Sequence, residues 1–131
     1  MEKRFKMIIR SFVFSLVAVL IGATTSFASA PAAPTLSSPT NGSNVGGTQI
    51  TFKWILDPNA AYYFLYIAKD QNFSQMVVDT GAFLNPGGTY GTYNLATQDL
   101  GQIYYWKMAA MNVYGYSPFS AIWYVINGPS T

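Results

Sequence analysis

The feature that most constrains the fold of this chain is a series of short segments in which apolar and polar residues alternate. Residues 49–56 show the pattern most clearly, because Thr51 and Lys53 lie on one side and only apolar residues on the other. The apolar side consists of Ile50, Phe52, Trp54 and Leu56. A repeat of two places successive side chains on opposite faces of a β-strand, so this segment is predicted to be a strand with one buried face.

Further segments with strand character are separated by turn signals such as Asn41-Gly42 and Asn85-Pro86-Gly87-Gly88. They cover residues 35–38, 61–69, 76–80, 92–95, 103–112 and 121–126. Met and Ala in residues 103–112 would also suit a helix, but the aromatic residues and the strict alternation favour a strand. Short strands at this spacing indicate an all-β fold, an immunoglobulin-like antiparallel β-sandwich of about seven strands.

The first thirty residues have the three-part layout of a secretory signal peptide. Basic residues near the start precede a short apolar run, residues 11–22, and Ala28-Ser29-Ala30 supplies the small residues of a cleavage site. The alternative is a retained membrane anchor, but the apolar run is shorter than the roughly 20 residues that a spanning helix needs. We therefore expect cleavage after Ala30, no membrane span in the mature protein, and one domain, residues 31–131, that is periplasmic or extracellular.

The composition excludes several classes of function. The chain has no cysteine and no histidine, so a disulfide, a thiol nucleophile, a zinc finger and a Ser-His-Asp triad are all ruled out. From residue 31 onward three lysines face four aspartates, a net charge of −1. Because nucleic-acid affinity depends on neutralising many phosphates, we expect no nucleic-acid partner.

The four aspartates of the body are candidates for acid–base chemistry, since two carboxylates at the right separation can hydrolyse a glycosidic bond. Asp57, Asp70 and Asp99 fall in predicted turns, however, and Asp79 ends a strand. Aspartate in a turn usually accepts hydrogen bonds from nearby backbone. Asp57 with Asn59, or Asp70 with Asn72, could offer oxygens to calcium, which is the weaker interpretation. The sequence predicts no catalytic residue, no cofactor and no metal site.

The pattern PxxPTLSSPTNG, then ITFKW, AxxYxLYIAKDxNF and GxxYYWKMAAMNxYGYSxFS, resembles a bacterial fibronectin type III domain over residues 34–126. On this resemblance, Trp54 is the buried tryptophan of the family's strand B, and the inward positions of strand C are Tyr63, Leu65 and Ile67. Tyr104 is the tyrosine that closes a corner of the fold by a hydrogen bond to backbone.

The sequence departs from that family in two places. Asp99-Leu100-Gly101-Gln102 replaces the usual L-x-P-G before strand F, and there is no Arg-Gly-Asp motif for integrin-type adhesion. The resemblance implies a module that is not catalytic, because members of the family serve as spacers, adhesins, receptor modules and accessories of carbohydrate enzymes. The fold alone implies no particular function.

Apolar side chains are also predicted on the face of the sheet that should meet water. If the inward residues of strand C and strand F are buried, the residues between them point outward, and one set of residues on the last strand does so too. The expected outer set, the candidate binding surface, is Tyr62, Phe64, Tyr66, Tyr105, Met111 and Tyr124. Outer faces of antiparallel sheets are normally polar, so this set calls for an explanation.

Three interpretations of this surface remain open. The aromatic pairs could simply stabilise the sheet, at roughly 0.2–1 kcal/mol for each pair. They could instead form a contact surface of about 500 Å², worth ~12 kcal/mol of gross burial against an association cost of about 4–15 kcal/mol. Such a weak site would suit a binding or adhesion module for a protein or a polysaccharide. The last interpretation is a structural subunit that self-associates through the same face in an extracellular bacterial assembly.

Overall fold

The computed structural model describes residues 29–97 and 99–128. Almost all of the predicted signal peptide therefore lies outside the described residues. Within them the strands are, in chain order, β1 (Thr35–Ser38), β2 (Ser43–Asn44), β3 (Gln49–Ile55), β4 (Tyr62–Ala68), β5 (Met76–Asp79), β6 (Phe83–Leu84), β7 (Tyr90–Ala96), β8 (Gln102–Asn112), β9 (Gly115–Tyr116) and β10 (Trp123–Asn127). This part of the chain contains no helix that is long and apolar enough to cross a membrane.

The strands form two sheets that pack face to face, as the alternation predicts. The three-stranded sheet has the order β1-β3-β7. The seven-stranded sheet has the order β2-β10-β8-β4-β5, with β6 beside β4 and β9 beside β8. Neighbouring strands are antiparallel, apart from the short parallel pairing of β2 with β10. The all-β sandwich is confirmed.

Each predicted strand is present with small changes at its ends, and β2, β6 and β9 are two-residue strands that the sequence did not reveal. β7 is longer than the sequence predicted, which was residues 92–95 only. Tyr90 and Gly91 extend it because they pair with Ile55 and Trp54 of β3. The glycine is required there, since a Cβ atom at residue 91 would lie 2.5 Å from Cε2 of Trp54.

The core lies between the sheets and is built on aromatic contacts. The rings of Phe52 and Trp106 meet edge to face with centroids 4.9 Å apart. Trp54 packs against Tyr63 at 6.2 Å and against Phe83 at 5.8 Å. Geometries of this kind add about 0.5–1.5 kcal/mol per pair to the gain from burial.

The predicted inward residues are confirmed as core. The three inward positions of β4 are fully buried, and the predicted inward residues of β8 are buried too: Tyr104, Trp106, Met108 and Ala110. On β10 Val125 and Asn127 are buried and Trp123 packs at the margin of the core, so Tyr124 points outward. The face of the sheet on which each side chain lies therefore follows from alternation.

The tyrosine corner differs from the expectation. Tyr104 is buried, but the hydroxyl of Tyr104 is hydrogen-bonded to Oγ1 of Thr97 at 2.7 Å and not to backbone. The Nδ2 group of Asn127 donates to the same threonine oxygen at 3.2 Å. A side chain can take the place of a carbonyl here because Thr97 directly follows β7 and is itself buried.

Candidate binding surface

The six predicted surface residues lie on one face of the seven-stranded sheet. The register places Tyr62 of β4 opposite Met111 of β8, and Tyr105 of β8 opposite Tyr124 of β10. Phe64 and Tyr66 lie between these two pairs, along β4. The rings of Tyr105 and Tyr124 are 5.9 Å apart. Whether this set binds a ligand stays a prediction.

The chain after β8 turns back and runs beside that strand, held by two buried serines. Ser117 donates its N–H to the carbonyl of Ala110 at 2.8 Å, and the Oγ atom of Ser117 accepts the N–H of Ala110 at 2.8 Å. Ser120 makes the same double contact with Met108, at 2.8 and 2.9 Å. These side chains satisfy backbone groups of β8 that no strand reaches, and they fix the position of residues 115–120.

This returning segment adds two rings to the face that sequence reasoning missed. Tyr116 lies 5.7 Å from the ring of Phe64, and Phe119 meets Tyr66 edge to face at 5.8 Å. The six predicted residues, together with Tyr116 and Phe119, are called the aromatic face below. Sequence reasoning matched residues 112–120 to the family without asking where their aromatic side chains point.

Between the two rows of rings lies a shallow groove. Its floor is the small side chain of Ala109, which is opposite Phe64 on the neighbouring strand. Its walls are Phe64 and Tyr66 on one side and Tyr116 and Phe119 on the other, and it encloses about 180 Å³. A space of this size is smaller than the ~300 Å³ of a typical small-molecule pocket, so it would take one ring or one side chain of a larger ligand.

The two rows differ in exposure. Phe64 and Tyr66 are half-buried, whereas Tyr116 is 69% exposed and Phe119 is 51% exposed. An incoming ligand would therefore meet Tyr116 and Phe119 first. These two side chains can be shortened with less loss of packing than the pair on β4.

One positive charge lies on the aromatic face, and aromatic rings surround it. The Nζ atom of Lys107 is 4.0 Å from the ring centre of Phe119 and 4.4 Å from that of Phe73. A cation over the face of an aromatic ring is attracted by the electrons of the ring. Lys107 thus packs over both rings, and this attraction favours the position of Phe119 beside the groove.

The hydroxyl of Tyr66 remains a hydrogen-bond donor over the physiological range. Burial raises the pKa of this tyrosine, and the nearby Asp79 and Tyr116 raise it further. A protonated hydroxyl beside the groove can donate to an oxygen of a ligand. The groove therefore combines apolar walls with a polar group.

Asp57 and Asp70 serve turns, as predicted, whereas the carboxylate of Asp99 pairs with the ammonium group of Lys69 at 3.3 Å. Asp70 accepts hydrogen bonds from Ser74 Oγ at 2.6 Å and from the N–H of Gln75 at 2.8 Å, which lower the pKa of the Asp70 carboxyl. Asp57 accepts the N–H of Asn59 at 2.8 Å. Over residues 29–97 and 99–128 there is no group of three acidic, histidine or cysteine side chains that could hold a metal ion.

Comparisons with solved structures bear on the fold. An α-L-rhamnosidase from Dictyoglumus thermophilum matches with a TM-score of 0.56 at 19% identity, over 73% of this chain and 12% of that chain. The chicken CNTN1 FN1-FN3 domains match with a TM-score of 0.51 at 20% identity, over 76% of this chain and 33% of that chain. The 6th fibronectin type III domain of human fibronectin type III domain containing protein 3 matches with a TM-score of 0.52 at 17% identity, over 83% of this chain and 92% of that chain.

The domain has the fibronectin type III fold. No protein-family model matches the sequence, and no curated protein matches it. The chain spans about an eighth of the rhamnosidase and a third of the CNTN1 structure. At 17–20% identity, these likenesses concern the fold.

Proposed function

We propose that this protein is a secreted, non-catalytic binding module whose ligand, a neutral polysaccharide, lies in the groove of the aromatic face. The observation that carries the proposal is the groove over Ala109, which is open to solvent and walled by Phe64, Tyr66, Tyr116 and Phe119. Tyrosine and phenylalanine rings present large apolar surfaces with polar edges, which suit the faces of sugar rings.

The charge of the face favours a neutral ligand over a charged one. Lys107 is engaged with the rings of Phe73 and Phe119, and the groove itself is lined by uncharged side chains. A protein partner usually offers charges at the rim of its interface and covers a larger area. A protein ligand is therefore the second candidate, and it is an outcome that the following experiment can show.

The test is co-sedimentation of the protein with two neutral polysaccharides, crystalline cellulose and chitin. We expect retention on at least one polymer, and at least a tenfold weaker retention when Tyr116→Ser and Phe119→Ser are combined. The matched control is Tyr90→Ser, since Tyr90 is 48% exposed on the outer face of the other sheet. Urea denaturation of each variant checks that the fold is intact.

Two results would contradict this function. If no polymer retained the protein at high concentration, the ligand would not be one of these polysaccharides, and a protein ligand would become the better explanation. If Tyr90→Ser reduced retention as much as the paired substitutions do, the groove would not be the site.

We propose further that residues 1–30 are a cleaved secretory signal and that the module acts in the periplasm or outside the cell. The support is the order of basic, apolar and small residues in the sequence. Amino-terminal sequencing of the protein recovered from a secreting host should give Pro31 as the first residue. A start at Met1 in membrane fractions would show a retained anchor instead.

A further inference from the structure

Within the described residues six strands lie at sheet edges, and five of them are poor templates for another strand. β2, β6 and β9 have only two residues each. β1 is short, lies between Pro34 and Pro39, and has an irregular register with β3. β5 has four residues, ends at Asp79, and is irregular where it meets β4. Short edges, prolines, charges and irregular register are devices that keep sheets from pairing edge to edge.

β7 has none of these devices. It is seven residues long, contains no charged residue and no proline, and keeps a regular register with β3 over its whole length. Over residues 29–97 and 99–128 its only strand partner is β3. An edge of this kind is a ready template for an added strand.

The hydrogen bonds at both ends of the β3–β7 pairing show which backbone groups are free. Leu56 donates its N–H to the carbonyl of Thr89, and Thr97 donates to the carbonyl of Thr48, both at 2.9 Å. In an antiparallel pair these bonds recur at every second residue. The odd-numbered residues of β7 therefore bond to β3, and the even-numbered residues from Tyr90 to Ala96 direct their N–H and C=O groups to the free edge.

The free edge is accessible. The side chains of Thr92, Asn94 and Ala96 are exposed on the outer face of the sheet. Beside the end of β7, an open cleft of about 490 Å³ lies between β5, at Met76 and Val77, and the chain at Ala96 and Thr97. β5 therefore leaves this end of the edge uncovered.

We propose that β7 pairs antiparallel with β7 of a second copy of this chain. An antiparallel edge is complementary to itself about a two-fold axis. A pairing centred on Tyr93 places Thr92 opposite the partner subunit's Asn94 and uses the whole length of the strand. β7 itself carries no charge, and the Nζ atom of Lys53 lies 4.2 Å over the ring of Tyr90. Lys69 and Asp99, which line the cleft beside Ala96, are paired with each other at 3.3 Å.

The pairing has a consequence for ligand binding. The two-fold axis is perpendicular to the joined sheet, so both seven-stranded sheets lie on the same side of the dimer. Both aromatic faces are then present in one particle, and a polymer can engage them together. Two weak sites linked in this way bind a repetitive ligand 10²–10⁴-fold more tightly than one site does. This consequence rests on the proposed function, whereas the pairing itself does not.

The first test is sedimentation velocity over a hundredfold range of concentration, on protein recovered from cells that express the full chain. We expect the mass to rise from one copy to two and then to stop, because a two-fold contact closes. Thr92→Pro removes an N–H that faces the free edge and spares the β3–β7 hydrogen bonds. It should weaken the dimer at least tenfold, while the control Thr92→Val should dimerise like the wild type.

The second test is amide hydrogen exchange of the wild type, which does not depend on the folding of a variant. The amides of Thr92 and Asn94 should become protected as the concentration rises, and those of Tyr93 and Leu95 should be protected throughout. A monomer at every concentration would overturn the proposal. So would a dimer that Thr92→Pro leaves intact and that Tyr116→Ser with Phe119→Ser disrupts, since the self-contact would then be the aromatic face. A wild-type protein that forms the β7 dimer but is not retained by any polysaccharide would count against the proposed function and not against the pairing.

Discussion

Each outer face of this sandwich consists of the alternate strand residues that point away from the core, but the two faces differ in composition. On the three-stranded sheet, the outward side chains of β3 and β7 are mainly polar, and Thr51 donates to Asn94 at 2.7 Å. Tyr90 is the aromatic residue there, beside Lys53. On the seven-stranded sheet the same positions carry the aromatic face. The polar face follows the rule for a sheet with one wet side, and the aromatic face breaks it.

This difference shows that the fold needs its buried core but does not need aromatic residues on an outer face. Both sheets bury the same kind of inner face against each other, so the core explains the stability of either sheet. The polar face shows that an outer face without aromatic rows is compatible with this architecture. The rows on the other face, and the groove between them, therefore call for a reason besides folding, and contact with a ligand is the reason proposed here.

The largest expected effect lies on the inner side of β3. Trp54 is 1% exposed at the centre of the core, so Trp54→Ala should lower the free energy of unfolding by about 3–5 kcal/mol, out of the ~5–15 kcal/mol typical of a domain. The control is Ile55→Ala at the next, outward residue, which should change it by about 0.5 kcal/mol or less. Equal losses in urea denaturation would show that the two sides of the strand are not distinct.

The next effect lies on the inner side of β7. Gly91→Ala places a methyl group 2.5 Å from Cε2 of Trp54, and overpacking of this kind costs about 1–3 kcal/mol. Thr92→Ala, one residue along and outward, is the matched substitution and should be nearly neutral. Thermal denaturation of the two variants measures the difference, and a stable Gly91→Ala protein would show that Trp54 can move aside.

A smaller effect should distinguish the outer faces themselves. A double-mutant cycle on Tyr66 and Phe119 should give a coupling of about 0.5–1.5 kcal/mol, as expected for an edge-to-face pair. The corresponding cycle on Thr51 and Asn94 of the polar face should give less, because that hydrogen bond is exposed. A coupling near zero for the aromatic pair would mean that residues 115–120 do not rest on the face in solution.

The smallest effect should appear at alkaline pH. Burial raises the pKa of Tyr63 above the usual 10.0, and this outweighs the N–H of Asp57, which donates to the hydroxyl and lowers the pKa. The unfolded chain therefore loses the proton first, so this contribution to stability is complete below pH 10 and falls as the pH rises beyond it. Urea denaturation of wild type and Tyr63→Phe at pH 8 and pH 10.5 measures the change, and Tyr63→Phe should show the weaker pH dependence. If the stability of Tyr63→Phe depended on pH as much as that of the wild type, a group other than Tyr63 would cause the pH dependence.

Sequence reasoning predicted the fold well because alternation specifies faces directly. Ile50 and Trp54 lie inside and Thr51 and Lys53 lie outside, and Tyr62 and Met111 share the outer face, as their places in the alternation require. What it missed depends on contacts between distant residues. Tyr116 and Phe119 reach the face only because Ser117 and Ser120 hold the returning chain on β8. The hydroxyl of Tyr104 is hydrogen-bonded to Thr97, on the other side of a turn. Paired serines between aromatic residues are a signal that could have been recognised.

The measurement that tests the central claim most directly is urea denaturation of the combined Phe64→Ser and Tyr66→Ser protein. These residues form the inner row of the aromatic face and are only half-buried. We expect a folded protein with a cooperative transition. Its free energy of unfolding should be lower than that of the wild type by up to about 2 kcal/mol, the sum expected for two cross-strand aromatic contacts. A protein that fails to fold would show that the aromatic rows belong to the core, and it would contradict the claim that this face is a surface for binding.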